Sequence, residues 1–366
     1  MRRWLKIVLL FALVAFVGCE RRPLNPTYSP TVRTVVKCVW AVDVHAYPEG
    51  EKPTGVTLYF FRNGKYYNSV TTSNVDSCAV QLPVGKYKMF MISQSPDEYG
   101  KMEFNHMHSF TEAATSLRQS SAKWALRSDM NEPVVENPEV LFAGISEEFE
   151  ITVEMTEDYQ YYYTNLKKKM ASKGSTRADE IAEMEEMVRY YTIRIPITPR
   201  NIVSQLWFRI YSDNADVLKS VRASNSGMAR TFELTQDITG SEEAIQMITD
   251  WTLTWDDRSR RIGHVDGIVT TFGLPNGEIP SAIRDSSLNV SALLIDNATV
   301  ANYKFNVGDK IQKLDPNPGY RALYKVVFGS VDEPAIKPPD VSPQGGGGFT
   351  AAVQDWDEEI EAEIIL

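Results

Sequence analysis

Residues Val56 to Arg62 read Val-Thr-Leu-Tyr-Phe-Phe-Arg, Asn63-Gly64 follow, and Lys65 to Thr71 read Lys-Tyr-Tyr-Asn-Ser-Val-Thr. Both runs are rich in β-branched and aromatic side chains, and an Asn-Gly pair tolerates the two positive φ angles of a type I′ turn. The spacing predicts a β-hairpin. Outward from it, Thr34 to Val44 carries Val35, Val36, Val39, Trp40, Val42 and Val44, a further strand follows Leu82-Pro83-Val84-Gly85 over Lys86 to Ser93, and another is expected around Phe149 to Met155. Strand character returns at Thr192 to Pro196, Leu206 to Tyr211, Gly267 to Phe272, Leu288 to Ile295 and Tyr320 to Phe328. Short strands separated by Gly, Pro and Asn turns are the pattern of an antiparallel sandwich.

One stretch breaks the pattern. Ile181, Met184, Val188 and Tyr191 recur at helical spacing among Glu180, Glu183, Glu185 and Glu186. A helix is expected there, starting near Thr176 or Asp179, either of which can cap it, with the acids at the positive end of the dipole.

The N-terminus is of another kind. Arg2, Arg3 and Lys6 precede an apolar run from Ile7 to Val17, and Gly18 stands before Cys19. About ten apolar residues are too few for a hydrocarbon layer that needs about twenty, so the run reads as a signal peptide. Cys19 is expected to carry lipid, the alternative being an ordinary secretory signal with the cysteine just past the cut. Glu20 to Arg33 is polar, holds Pro23, Pro26 and Pro30, and reads as a semi-rigid tether.

The whole chain has 366 residues and a net charge of −10. Loss of three basic signal residues from a total of 38 leaves 35 against 48 acids, a net of −13. Phosphate binding needs a basic face, so nucleic acid is excluded as a partner, and Lys167-Lys168-Lys169 reads as a solvated helix end or loop. Cys38 and Cys78 remain after Cys19; in an oxidising compartment they either pair as a disulfide or stand as two buried thiols.

The search for chemistry is short. His106 and His108 share a face if extended, but a metal needs more ligands than two. Asp256-Asp257 would point oppositely on a strand and suits a polar turn better than a glycosidase dyad. Neither a nucleophile elbow nor a phosphate loop is present; Gly345 to Gly348 follow prolines, open no helix and read as linker. No enzyme activity, cofactor or metal is expected. Trp207, Phe208, Trp251 and Trp255 are the nearest approach to a sugar-stacking cluster among seven tryptophans and seventeen tyrosines.

The tail ends the chain on a regular pattern. Trp356, Ile360, Ala362, Ile364 and Leu366 share one parity and Asp355, Asp357, Glu359, Glu361 and Glu363 the other, which describes a strand with one apolar and one acidic face. Trp356, Ile360 and Ile364 also fit a helix, and a strand is favoured. It reaches either its own second domain or a neighbour.

Lipidated signal, Pro-rich tether, Leu82-Pro83-Val84-Gly85-Lys86-Tyr87, Ser204-Gln205-Leu206-Trp207-Phe208 and the acidic C-terminal strand together resemble the fimbrillin-like lipoproteins of Bacteroidetes. The resemblance implies an all-β protein of two transthyretin-like antiparallel β-sandwich domains, on the outer membrane, whose subunits build pili by donating a strand to a neighbour. The implied layout is signal peptide 1–18, lipidated tether 19–33, first sandwich 34–158, helical insertion 159–191, second sandwich 192–330, Pro/Gly-rich linker 331–348 and donor-type strand 349–366. The partners implied are outer-membrane lipid, through Cys19, and other fimbrial subunits. Stalk subunits of that family are cut after an arginine in an early loop; here Arg33 precedes the first expected strand, and an anchor or accessory subunit fits better than a stalk. A glycan-binding surface lipoprotein is the alternative.

Overall fold

The structure, a computed structural model, describes residues 30–40, 53–121, 132–171, 178–277, 286–314 and 319–343. In chain order the first strands are β1 (Thr31–Cys38), β2 (Val56–Arg62), β3 (Lys65–Thr72), β4 (Ser77–Pro83), β5 (Gly85–Ser93), β6 (Met102–Asn105), β7 (Ala114–Leu117), β8 (Val134–Val135), β9 (Phe142–Ile145) and β10 (Phe149–Ile151). Helices α1 (Val153–Ala171) and α2 (Ala178–Tyr190) follow. Then come β11 (Ile193–Ile197), β12 (Arg200–Asn201), β13 (Ser204–Ser212), β14 (Leu218–Ala229), β15 (Thr231–Glu233), β16 (Ile238–Thr239), β17 (Glu243–Ile248), β18 (Trp251–Asp257), β19 (Ile262–Thr271), β20 (Ser287–Leu294), β21 (Val300–Asn306), β22 (Gln312–Leu314) and β23 (Leu323–Phe328). The protein is mostly β with two helices among the described residues.

The hairpin that set the fold class is present. Arg62 pairs with Lys65, and Asn63 and Gly64 take φ of 51° and 77°. β2 is buried on both sides: Tyr59 and Phe61 join one core, while Val56, Leu58 and Phe60 are covered from the other. The first strand lies earlier than expected, so Arg33 sits inside β1 and not before it.

The chain divides into two compact units. One comprises Val80–Gly85, Ile151–Ile193 and the described residues up to Thr34; the other holds Val35–Ala79, Lys86–Glu150 and the described residues from Arg194 on. In the first unit, the helix expected near Asp179 is α2, but a second helix, α1, precedes it. Thr152 marks the start of α1, accepting from the Met155 N–H at 3.3 Å, and Lys168 and Lys169 end it at the negative pole. Thr156, Tyr159 and Leu166 form its buried stripe.

In the second unit, a five-stranded sheet of order β18-β19-β13-β23-β22 and another of order β21-β20-β14-β17-β8 share one core. Leu206, Phe208 and Ile210 from β13 meet Leu288, Val290 and Ala292 from β20 and Val326 from β23. The sheets are not wholly antiparallel, as the sequence suggested: β13 runs parallel to β23, and β17 to β8. A parallel pair needs a long crossover. Between β13 and β23 the strands β14, β17, β20 and β21 of the facing sheet supply it.

A second core takes Tyr59, Phe61, Phe90 and Ile92 together with Val203, Phe232 and Phe272. Strands on the two sides of the helices pair directly, β7 with β15 and β9 with β12. This core is therefore not drawn from one half of the sequence.

Residues 331–343, linker by composition, are docked. Ile336 is 2% exposed in the first core, Ala335 N–H donates to the Tyr211 carbonyl at 2.9 Å, and Arg261 pairs with Asp340 at 2.8 Å. Proline prevents a regular strand but not attachment through side chains. Ile336→Ala should lose about 2–5 kcal/mol of stability by leaving a cavity; an unchanged urea midpoint would restore the linker reading.

Candidate functional site

β13 alternates sides. While Leu206, Phe208 and Ile210 enter the core, Gln205, Trp207, Arg209 and Tyr211 occupy the opposite face of the sheet, half-buried. The register sets Arg209 beside Asp266 and Tyr211 beside His264 on β19, and Trp207 beside Lys325 on β23. A ladder of charged and aromatic side chains results.

Its centre is a bidentate ion pair, with Arg209 Nε and Nη2 each donating to an Asp266 oxygen at 2.8 Å. The hydrogen bond to Asp266 raises the Arg209 pKa above its ordinary value. His264, 5% exposed, donates from Nδ1 to Asp256 at 2.7 Å, and its Nε2 lies 3.6 Å from Asp266. The Tyr211 ring stands 5.3 Å from the imidazole. At the other end, the Arg209 guanidinium and the Lys325 ammonium each lie 4.7 Å from the Trp207 ring centre. The ladder contains no activated nucleophile; it pre-organises charge on a rigid sheet face, which is the chemistry of recognition and of strand register.

The four aromatics considered for sugar stacking do not converge. Phe208 is fully buried, and Trp251 packs against Gly267, where an added Cβ would lie 2.8 Å from the indole. Trp255 lies under Arg258 at 5.3 Å, so only Trp207 of the four joins the ladder, already carrying two cation–π contacts.

Asp256 and Asp257 lie on β18 and not in the polar turn expected, and they take different partners, as adjacent strand residues should. Asp257 Oδ1 accepts from the Ser259 N–H, the Ser259 hydroxyl and the Arg260 N–H, and these bonds hold its carboxyl below the usual range, the Ser259 hydroxyl foremost. Asp256 goes to His264 instead. The pairing was missed because i, i+2 alternation places His264 and Asp266 on one face but not which strand lies beside them.

His106 sits in a turn at φ 53°, and the His108 ring lies 4.1 Å from the Tyr66 ring at a tilt of 34°. Among the described residues, no group of three His, Cys, Asp or Glu is arranged to hold a metal. Lys167 lies over the Tyr163 ring at 4.6 Å and Lys169 pairs with Glu180 at 2.7 Å, as a helix end would. Cys38 and Cys78 stand as buried thiols and not as a disulfide in this structure, with Cys38 Sγ 3.8 Å from Met91 Sδ. Tyr87 of the Leu-Pro-x-Gly-x-Tyr element is fully buried and stacked on Phe149 at 5.5 Å. Cys19 and the tail residues Trp356, Ile360, Ala362, Ile364 and Leu366 lie outside the described residues.

A family profile described as a domain of unknown function (DUF5119) matches residues 18–249. No curated protein matches the chain. Among solved structures, a "putative adhesin" from Bacteroides ovatus is similar with a TM-score of 0.50 at 14% identity, covering 89% of this chain and 99% of that one. The fimbrial anchor protein Mfa2 from Porphyromonas gingivalis gives a TM-score of 0.43 at 10% identity, over 81% of this chain and 90% of its own. At 14% identity the likeness to the Bacteroides ovatus protein is one of fold.

Arg209 and Asp266 expose only 24% and 22% of their side chains, so Asp266→Asn should cost about 1.5–3 kcal/mol by weakening a charge-assisted pair. In a double-mutant cycle with Arg209→Met, measured by urea unfolding, the second substitution should cost much less once the first is made; strict additivity would mean that the pair contributes nothing.

Proposed function

The chain belongs to the family described as a domain of unknown function (DUF5119), and from this starting point we propose that it acts at the cell surface as a lipid-anchored structural, anchor or accessory subunit of a fimbria. The observation that carries the reading is the fold shared with the Bacteroides ovatus "putative adhesin" over 99% of that protein's length. In this reading Cys19 holds the outer membrane through its acyl chains, at about 0.8 kcal/mol per buried methylene. On the same reading the two sheet cores are two transthyretin-like sandwiches, and the helices interrupt the chain between β10 and β11.

Assembly is by strand donation, and the donor is the tail. Burial of Trp356, Ile360, Ile364 and Leu366 would yield about 1.5–3 kcal/mol each, against about 1–2 kcal/mol per residue for fixing the backbone. Such a segment gains a stable shape where a neighbour offers unpaired backbone groups at a sheet edge. Ala362 completes its apolar face, and the acidic face stays in water.

Two experiments separate the parts of this reading. Cys19→Ala should abolish labelling by a fatty-acid analogue and release the protein from the detergent phase; continued acylation would end the anchor assignment. Deletion of Phe349 to Leu366 should remove the protein from high-mass surface assemblies while leaving its melting temperature unchanged. The reverse pattern, a less stable monomer in intact assemblies, would make the tail a strand of its own domain.

A further inference from the structure

The helical unit, taken by itself, contains a cleft of about 440 Å³, a volume in the range of small-ligand sites. Tyr159, Leu166 and Val188 form its floor at 1%, 9% and 7% exposure. Tyr163 stacks on Tyr159 with ring centres 5.4 Å apart and carries Lys167 4.6 Å from its own ring centre. Both rings are thus already in contact with neighbours, so neither is a bare stacking platform.

The rim is polar. Arg33, from β1, is exposed and makes no ion pair among the described residues, and Arg189 meets Glu185 only at 3.9 Å. Gln81 accepts from the Thr31 hydroxyl at 3.3 Å, which leaves its amide NH₂ as a donor. Guanidinium, amide and phenol groups donate, while Glu185 accepts: a mixed set that suits a polyol. With the Lys167 ammonium held over the Tyr163 ring, the two guanidiniums against one carboxylate among the lining residues leave one positive charge. That balances a single carboxylate and falls short of a phosphate dianion, and the planar fork of Arg33 matches carboxylate geometry.

We infer that this cleft binds an acidic saccharide, a sugar ring bearing one carboxylate, with the carboxylate on Arg33 and the hydroxyls on Gln81 and Glu185. The site is independent of the proposed assembly role, since it uses no residue of the tail and none of the sheet-face ladder.

The test is calorimetric titration of the full chain in detergent with glucuronate, galacturonate and N-acetylneuraminate oligosaccharides and with neutral oligosaccharides of the same length. Acidic members should bind at least about tenfold more tightly than neutral ones, the size of effect expected for a charge-assisted hydrogen bond. Arg33→Gln should bring acidic binding down to the neutral level, whereas Arg258→Gln, which removes the same charge from the other unit, should leave it unchanged. Leu166→Trp, which fills the floor, should abolish both, with circular dichroism confirming that α1 persists. Equal affinity for acidic and neutral sugars, equal effects of the two arginine substitutions, or no binding by any member of the panel would overturn the assignment.

Discussion

The two five-stranded sheets are held by the apolar sides they turn to each other, and β13 is the strand on which that contact turns. Leu206, Phe208 and Ile210 are each fully buried, and burial of side chains of this size is worth about 1.5–3 kcal/mol apiece. Because the period of a strand is two, the register that buries these three also fixes Trp207, Arg209 and Tyr211 on the outer face. Core and ladder are one decision. A slip of one residue would put the guanidinium inside and three large apolar groups in water. The Arg209–Asp266 pair, matched across β13 and β19, penalises the slip from the other side.

Much of this could be read in the residues, and what could not has a physical reason. The Asn63-Gly64 hairpin, the strand at Leu206 to Tyr211 and the helix near Asp179 rest on local periodicity and turn chemistry, which sequence carries directly. The pairing of β7 with β15 and of the two-residue β8 with β17 carries no such signal, because four residues or fewer cannot show a period. The start of helix α1 was obscured because Val153 to Met155 continue the strand-like run of Phe149 to Ile151, until Thr152 is read as the cap that ends the strand and opens the helix. The ladder was legible only by halves: each strand's outward residues could be named, but not which strands adjoin.

Acidic residues outnumber basic ones, yet several are structural parts. Asp213 with Lys337, Asp340 with Arg261, and Asp296 with Thr299 all have carboxyl pKa values lowered, each chiefly by the side-chain hydrogen bond of its partner. A carboxyl whose folded pKa is depressed lends stability that is present above its unfolded pKa and lost as pH falls through the folded one. The turns and the docked C-terminal segment are therefore more secure at neutral pH than in acid, despite the repulsion of a net negative chain.

The place of β23 has a consequence in time. It lies between β13 and β22, in register from Gln205 with Leu323 to Ile210 with Phe328, so the middle of the sheet waits for a strand made more than a hundred residues later. Contacts of such long sequence separation close slowly and leave open edges while they wait. Until Leu323 to Phe328 has been synthesised β13 pairs with β19 alone, and its other edge stays open to any strand that meets it first.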